Sequence, residues 1–166
     1  MLANARKYKE ALSNKMLDVW YDDTYKYYFN SNWHDLGELP DSDWDYMCFA
    51  SVDKHNEVIG YISYKIDRTT DSAYSLGAIN FSDKIALFGL DLCKVVQDIF
   101  CKYNLQRLEF EVVEGNPAES SYDRLVSKYG GRIVGIRKNA AKLMDNKLYT
   151  VKIYEILRED YMHSKC

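Results

Sequence analysis

The apolar positions of this 166-residue chain change period several times, and each change predicts an element. Over residues 4 to 30, Leu12, Met16, Val19, Trp20, Tyr27 and Tyr28 fall roughly at helical spacing, with Asp22-Asp23 as an interruption. Asn30 to Asp45 is polar, carries Gly37 and Pro40, and reads as a loop. Three strand-like runs follow, Trp44 to Val52, Val58 to Ile66 and Ala73 to Phe81, and the short polar turns between them predict an antiparallel meander. From Leu90 to Tyr103 the period is helical again. Leu92, Val95, Val96, Ile99, Phe100 and Tyr103 share one face, and Asp91, Lys94, Gln97, Asp98 and Lys102 are predicted to point away. Gln106 to Val113 is strand-like, so a right-handed crossover should set it parallel to the third meander strand.

Asn116-Pro117-Ala118-Glu119 is the clearest local signal. Asn suits an N-cap, Pro the first helical position, and Glu three residues after the cap completes a capping box. Ala118, Tyr122, Leu125, Val126 and Tyr129 then form an apolar stripe, and Gly130-Gly131 supplies a left-handed stop. Two strands, Arg132 to Arg137 and Leu148 to Leu157, close the chain around a turn favoured by Asp145-Asn146.

Composition narrows the function classes. Apolar residues make up 47% and aromatic residues 14%, with eight Gly and two Pro, which is enough to build a core and argues against long disorder. No repeat or linker divides the chain, so residues 1–166 are read as one domain. With 22 Lys and Arg against 25 Asp and Glu, the net charge of −3 lacks the basic footprint of a nucleic-acid binder. No run is apolar enough for a membrane span or signal peptide, which predicts a cytoplasmic protein with no membrane partner. Cys48, Cys93, Cys101 and Cys166 form no C-x-x-C pair and read as reduced thiols. With only His34, His55 and His163, neither a metal site nor a Ser-His-Asp triad is expected, so chemistry falls to carboxylates, tyrosines and backbone.

This order of elements resembles that of the GNAT-type N-acetyltransferases: helix, three antiparallel strands, helix, parallel strand, helix, two strands. Residues 57 to 61, E-V-I-G-Y, look like that family's second meander strand, and Glu111 to Tyr129 resembles its E-V-x-x-x-N strand end followed by a Tyr-bearing helix. G-G-R-I-V-G to K-L-Y-T-V-K-I-Y-E-I-L looks like its closing hairpin. The resemblance covers roughly residues 44 to 158. It implies an α+β fold with a mixed, mostly antiparallel sheet whose parallel central pair splays apart, flanked by helices. It also implies acetyl-CoA as co-substrate, with transfer to a primary amine by direct attack in a ternary complex. The acceptor would be a small-molecule or peptide amine, and a homodimer is left open.

The resemblance further implies a place for each part of the cofactor. The pantetheine arm would lie between the splayed strands, beside Leu76, Ala78 and Asn116, and the pyrophosphate on the start of the helix near residue 90, at Lys84, Phe88, Gly89 and Leu90. Where the family's loop reads Q/R-x-x-G-x-G/A, this chain reads A-L-F-G-L-D, with Ala86 and Asp91 at the departures. That departure motivates a second reading, a non-catalytic CoA-binding or partner-binding domain of the same fold. Glu111, sharing a strand face with Glu109, is the candidate base, with Glu114 in reserve; burial would suit it to the task, and solvent exposure is the alternative. Tyr122 is the candidate acid, six residues after Asn116 rather than the family's commoner seven, and it can equally be a core tyrosine. Trp20, Tyr25, Tyr28, Trp33 and Trp44 are candidate walls of the acceptor pocket or, alternatively, ordinary core.

Overall fold

In a computed structural model that describes residues 1–28 and 39–165, seven strands form one sheet in the order β1-β2-β3-β4-β5-β7-β6. They are β1 (Leu2–Asn4), β2 (Tyr46–Val52), β3 (Val58–Asp67), β4 (Ser72–Asn80), β5 (Arg107–Val113), β6 (Arg132–Lys142) and β7 (Leu148–Leu157). The helices are α1 (Lys9–Val19), α2 (Ile85–Cys101), α3 (Glu119–Lys128) and α4 (Arg158–His163). Every strand pair is antiparallel except β4 with β5, as the strand-helix-strand order requires. Among the described residues, no helix is long and apolar enough to cross a membrane.

Two apolar clusters hold the layers together. On one face, Val95, Val96, Ile99 and Phe100 of α2 and Leu125, Val126 and Tyr129 of α3 meet Tyr64, Leu108, Phe110 and Tyr154 of the sheet. Each fully buried side chain of this kind stabilises the fold by about 1.5–3 kcal/mol. On the other face, Leu12 and Met16 of α1 pack on Cys48, Ala50, Val58 and Tyr61. The stripes predicted on α2 and α3 are therefore the buried ones, except that Ala118 precedes α3 and is exposed. Gly130 takes φ +70° directly after α3, and Asn146 takes φ +62° in the β6–β7 turn, as the local sequence predicts.

Six expectations change. The N-terminus adds a strand, β1, on the edge of β2, and the last residues add α4; both are too short to show a period. The second helix begins at Ile85, five residues before the expected Leu90, because Ile85 to Gly89 holds no breaker strong enough to delay it. Asp91, expected to point outward, is 8% exposed: Ser51 Oγ donates to its Oδ2 at 2.6 Å and the Met1 ammonium lies 3.1 Å away. Only the edge strand β1 brings that ammonium there. Trp44 stands before β2 rather than in it, 66% exposed, with the Arg68 guanidinium 4.6 Å above its ring. Finally, α3 begins at Glu119, and the capping box is displaced by one residue: Asn116 Oδ1 accepts from the Ala118 amide at 2.9 Å, while Glu119 Oε2 accepts from Gly115 rather than from Asn116. Cys48, Cys93 and Cys101 are free thiols.

Candidate active site

β4 and β5 are paired only at Ser72↔Arg107 and Ala73↔Leu108, after which they part. The cause lies in β4. Ser63 pairs with Gly77 and Lys65 with Tyr74, so Tyr64 of β3 faces both Ser75 and Leu76, a bulge whose first residue, Ser75, takes φ +54°. An extra residue on one strand bends it and sharpens its twist, which carries the end of β4 away from β5. Beyond the fork, Tyr74 to Asn80 and Glu109 to Val113 have no strand between them, so the backbone groups that face the gap lack sheet partners. The gap opens into a cavity of about 950 Å³.

Several predicted residues line this cavity. Leu76, Ala78, Asn116, Tyr122, Glu111, Tyr25 and Tyr28 are all in its wall. The sheet divides them chemically. Tyr122 lies on the α3 face, its ring 5.5 Å from that of Phe110, and burial pushes its hydroxyl up to about 12, so it stays protonated at any ordinary pH. Glu109 and Glu111 project from the opposite face, because strand residues alternate and Leu108, Phe110 and Val112 fill the core. The burial expected of Glu111 is absent: its side chain is half exposed and accepts from Arg137 of β6. Glu109 is half buried, lines the cavity, and has no ion-pair partner among the described residues. Asn116 spends its Oδ1 on the Ala118 amide, as a turn residue does.

The helix end near the cavity differs from the predicted loop. Because α2 starts at Ile85, Gly89 and Leu90 lie inside it, Leu90 is 68% exposed, and neither forms a loop at the helix end. Phe88 is core: its ring lies so close to Gly60 that a Cβ there would stand 2.4 Å from it. The amides of Ala86 and Leu87, which the sequence did not single out as binding groups, have no acceptor among the described residues. Lys84, just before α2, donates to Asp53 Oδ2 at 2.6 Å. Trp20 is outside the cavity and packs on the α1-side core. Trp33 lies outside the described residues. Ser75 and Glu109 are the residues that sequence reasoning underused, and only the Glu109/Glu111 parity hinted at either.

Asp53 ties the β2–β3 turn to the start of α2. The Lys84 ammonium, then the amides of Glu57 and His55, hold its carboxyl well below the usual carboxylate range. A depressed carboxyl stabilises the fold fully above its unfolded value, near 3.8, and that contribution disappears as pH falls through the lower folded value. Asp53→Asn is expected to lower the melting temperature at pH 7 and to flatten its decline below about pH 4. Thermal scans from pH 2 to 7 check this, and parallel curves for the two proteins would refute it.

A seven-stranded mixed sheet with one parallel pair that forks beside a bulge, flanked by four helices, is the fold of the GNAT-type N-acetyltransferases. Among solved structures, the chain is similar to mutant forms of the spermidine/spermine N-acetyltransferase SpeG from Vibrio cholerae: 18% identity, 75% of this chain and 71% of that one covered, and a TM-score of 0.64. It is also similar to a structure described as "Probable acetyltransferase", at 14% identity, 93% and 89% coverage, and a TM-score of 0.71. No protein-family model matches the sequence, and no curated protein matches it either.

Proposed function

We propose that this protein is an acetyl-CoA-dependent N-acetyltransferase that moves the acetyl group to a primary amine by direct attack in a ternary complex. The single observation that carries the reading is the fork: two parallel strands joined at two residue pairs and then open, with backbone on both sides that has no strand partner among the described residues. An amide-rich arm can hydrogen-bond there as an added strand does. At the far end, the free Ala86 and Leu87 amides at the start of α2 suit a pyrophosphate, with the Lys84 ammonium nearby.

Acetyl-CoA would supply an activated thioester. The chain's residues then have separate tasks. The amine enters from the face that carries Glu109 and Glu111, and must lose a proton to a carboxylate or to water on that face to attack. The C–N bond forms as the C–S bond breaks, and Tyr122, on the opposite face, donates a hydrogen bond to the departing sulfur. Glu111 is compromised as the base by its pair with Arg137, which leaves Glu109 the better placed of the two. Tyr25 and Tyr28 wall the entrance, and neither residue carries charge at neutral pH.

Acetyl-CoA at 100 times its dissociation constant should stabilise the protein by about 2.7 kcal/mol. At this chain length that is a rise of roughly 5–11 °C in melting temperature. An amine panel should then release free CoA in an amine-dependent manner. Absence of the thermal shift would sink the proposal. Binding without turnover on any amine would favour the second reading, a CoA-binding domain without the reaction, which the altered A-L-F-G-L-D segment motivates.

A further inference from the structure

The fork has a polar anomaly beside it. Arg107 and Leu108 are the two β5 residues paired with β4, opposite Ser72 and Ala73, and Glu109 is the first residue past the split. Arg107 and Glu109 share one face of the strand, about 6.6 Å apart along it. Arg107 Nε is buried without a hydrogen-bond partner, and among the described residues the guanidinium donates no hydrogen bond; the Glu155 carboxylate stands 4.0 Å from Nη1. Glu155 is already satisfied by Arg132 at 2.7 Å. Among the described residues, no cation pairs with Glu109. A carboxylate without a counter-ion in the cavity wall and, two residues away on the same strand face, an arginine without a hydrogen-bond acceptor among the described residues are complementary to one ligand that carries both charges.

The surrounding charge points the same way. Glu111 and Glu155 are neutralised by Arg137 and Arg132. Lys65 stands in register with Tyr74 on this same face, exposed, with its ammonium 5.5 Å from the centre of the Tyr46 ring. Among the described residues, Arg107, Lys65 and Lys142 of the cavity wall then stand on the approach to Glu109. A polycationic amine would therefore meet like charge next to the one carboxylate that could receive it.

We propose that the acceptor is a short zwitterionic amino acid, held with its ammonium at Glu109 and its carboxylate on the Arg107 guanidinium, an inference that rests on the acetyltransferase reading. Arg107 is then a specificity residue: its planar fork of donors fits a carboxylate and has no use for a neutral amide or a second amine. Glu109 sets the amine at the open end of the fork, where the β4 bulge leaves room beside Ser75.

The test compares matched pairs, L-alanine with L-alaninamide and β-alanine with β-alaninamide, with spermidine as the carboxylate-free polycation. The amides carry the less basic amines, so any preference for the acids cannot come from amine reactivity. kcat/KM is expected to favour the acids by at least tenfold, and Arg107→Gln should collapse that ratio toward one while Arg107→Lys restores part of it. Equal or better use of the amides, preference for spermidine, or an acid preference that survives Arg107→Gln would overturn the proposal. The wild-type ratio decides the matter even where Arg107→Gln fails to fold. If no amine is acetylated, the acetyltransferase reading fails by itself. Calorimetric binding of β-alanine to the wild-type protein, with and without CoA, then judges this inference separately: binding that β-alaninamide does not reproduce supports it, and no binding overturns it.

Discussion

Tyr122→Phe is expected to lower kcat by about 10²-fold, with the affinity for acetyl-CoA unchanged within about twofold. General acid–base groups contribute roughly 10²–10⁴-fold, and the lower end applies here for a physical reason. The phenol is pushed up to about 12 by burial, whereas an ordinary thiol lies near 8.5. Full proton transfer to a departing thiolate would run uphill by roughly 4–5 kcal/mol at about 1.36 kcal/mol per unit. Tyr122 therefore acts through a hydrogen bond that strengthens as negative charge gathers on sulfur, and water completes the protonation. The substitution keeps the ring, and with it the packing on Phe110, so the melting temperature should barely move. Steady-state kinetics with a saturating amine, together with acetyl-CoA titration, checks both halves. Because the group ionises only near 12, it puts no alkaline limb on kcat below about pH 10. A limb near pH 8 to 9 that vanished in Tyr122→Phe would contradict this assignment.

Gly60→Ala should cost about 3 kcal/mol, a fall of roughly 6–12 °C in melting temperature. A methyl group at this position would stand 2.4 Å from the Phe88 ring and 2.8 Å from the Ile79 carbonyl oxygen. One obstacle is a buried ring and the other is backbone, so neither can yield cheaply, and the upper part of the usual overpacking range applies. Gly60→Ala combined with Phe88→Leu should recover part of the loss, since the two positions touch and their effects are not additive. Gly89 is the internal contrast. It sits in α2 with nothing within 4 Å of its missing Cβ, and Gly89→Ala should be neutral or stabilising by up to about 1 kcal/mol. Calorimetry on the three variants separates the two glycines, and equal behaviour at positions 60 and 89 would refute the packing account.

That contrast shows what a sequence reading can and cannot reach. Phe88, Gly89 and Leu90 looked like one loop because a glycine flanked by apolar residues carries no record of its partners. In the fold the three separate: Phe88 docks α2 onto β3, Gly89 faces open space, and Leu90 points outward. Glu111 is a similar case. Its parity with Glu109 was legible, but its exposure depends on Arg137, which comes from a strand two places away in the sheet and 26 residues along the chain. Asp91 is buried beside Ser51 and the Met1 ammonium, and nothing near position 91 announces either partner. The Tyr122 stripe, by contrast, needed no partner to be seen.

Periodicity, capping and crossover handedness are local or topological rules, so the order and type of the main elements, most of the buried faces of α2 and α3, and the parallel sense of β4 and β5 are legible in the chain before it folds. The tertiary structure alone decided where the sheet opens, since the fork depends on one bulge residue, Ser75, set against Tyr64 of the neighbouring strand. It also decided which charges at the fork stay unpaired. An ion pair forms through space between distant segments, and spacing along one segment carries no information about it.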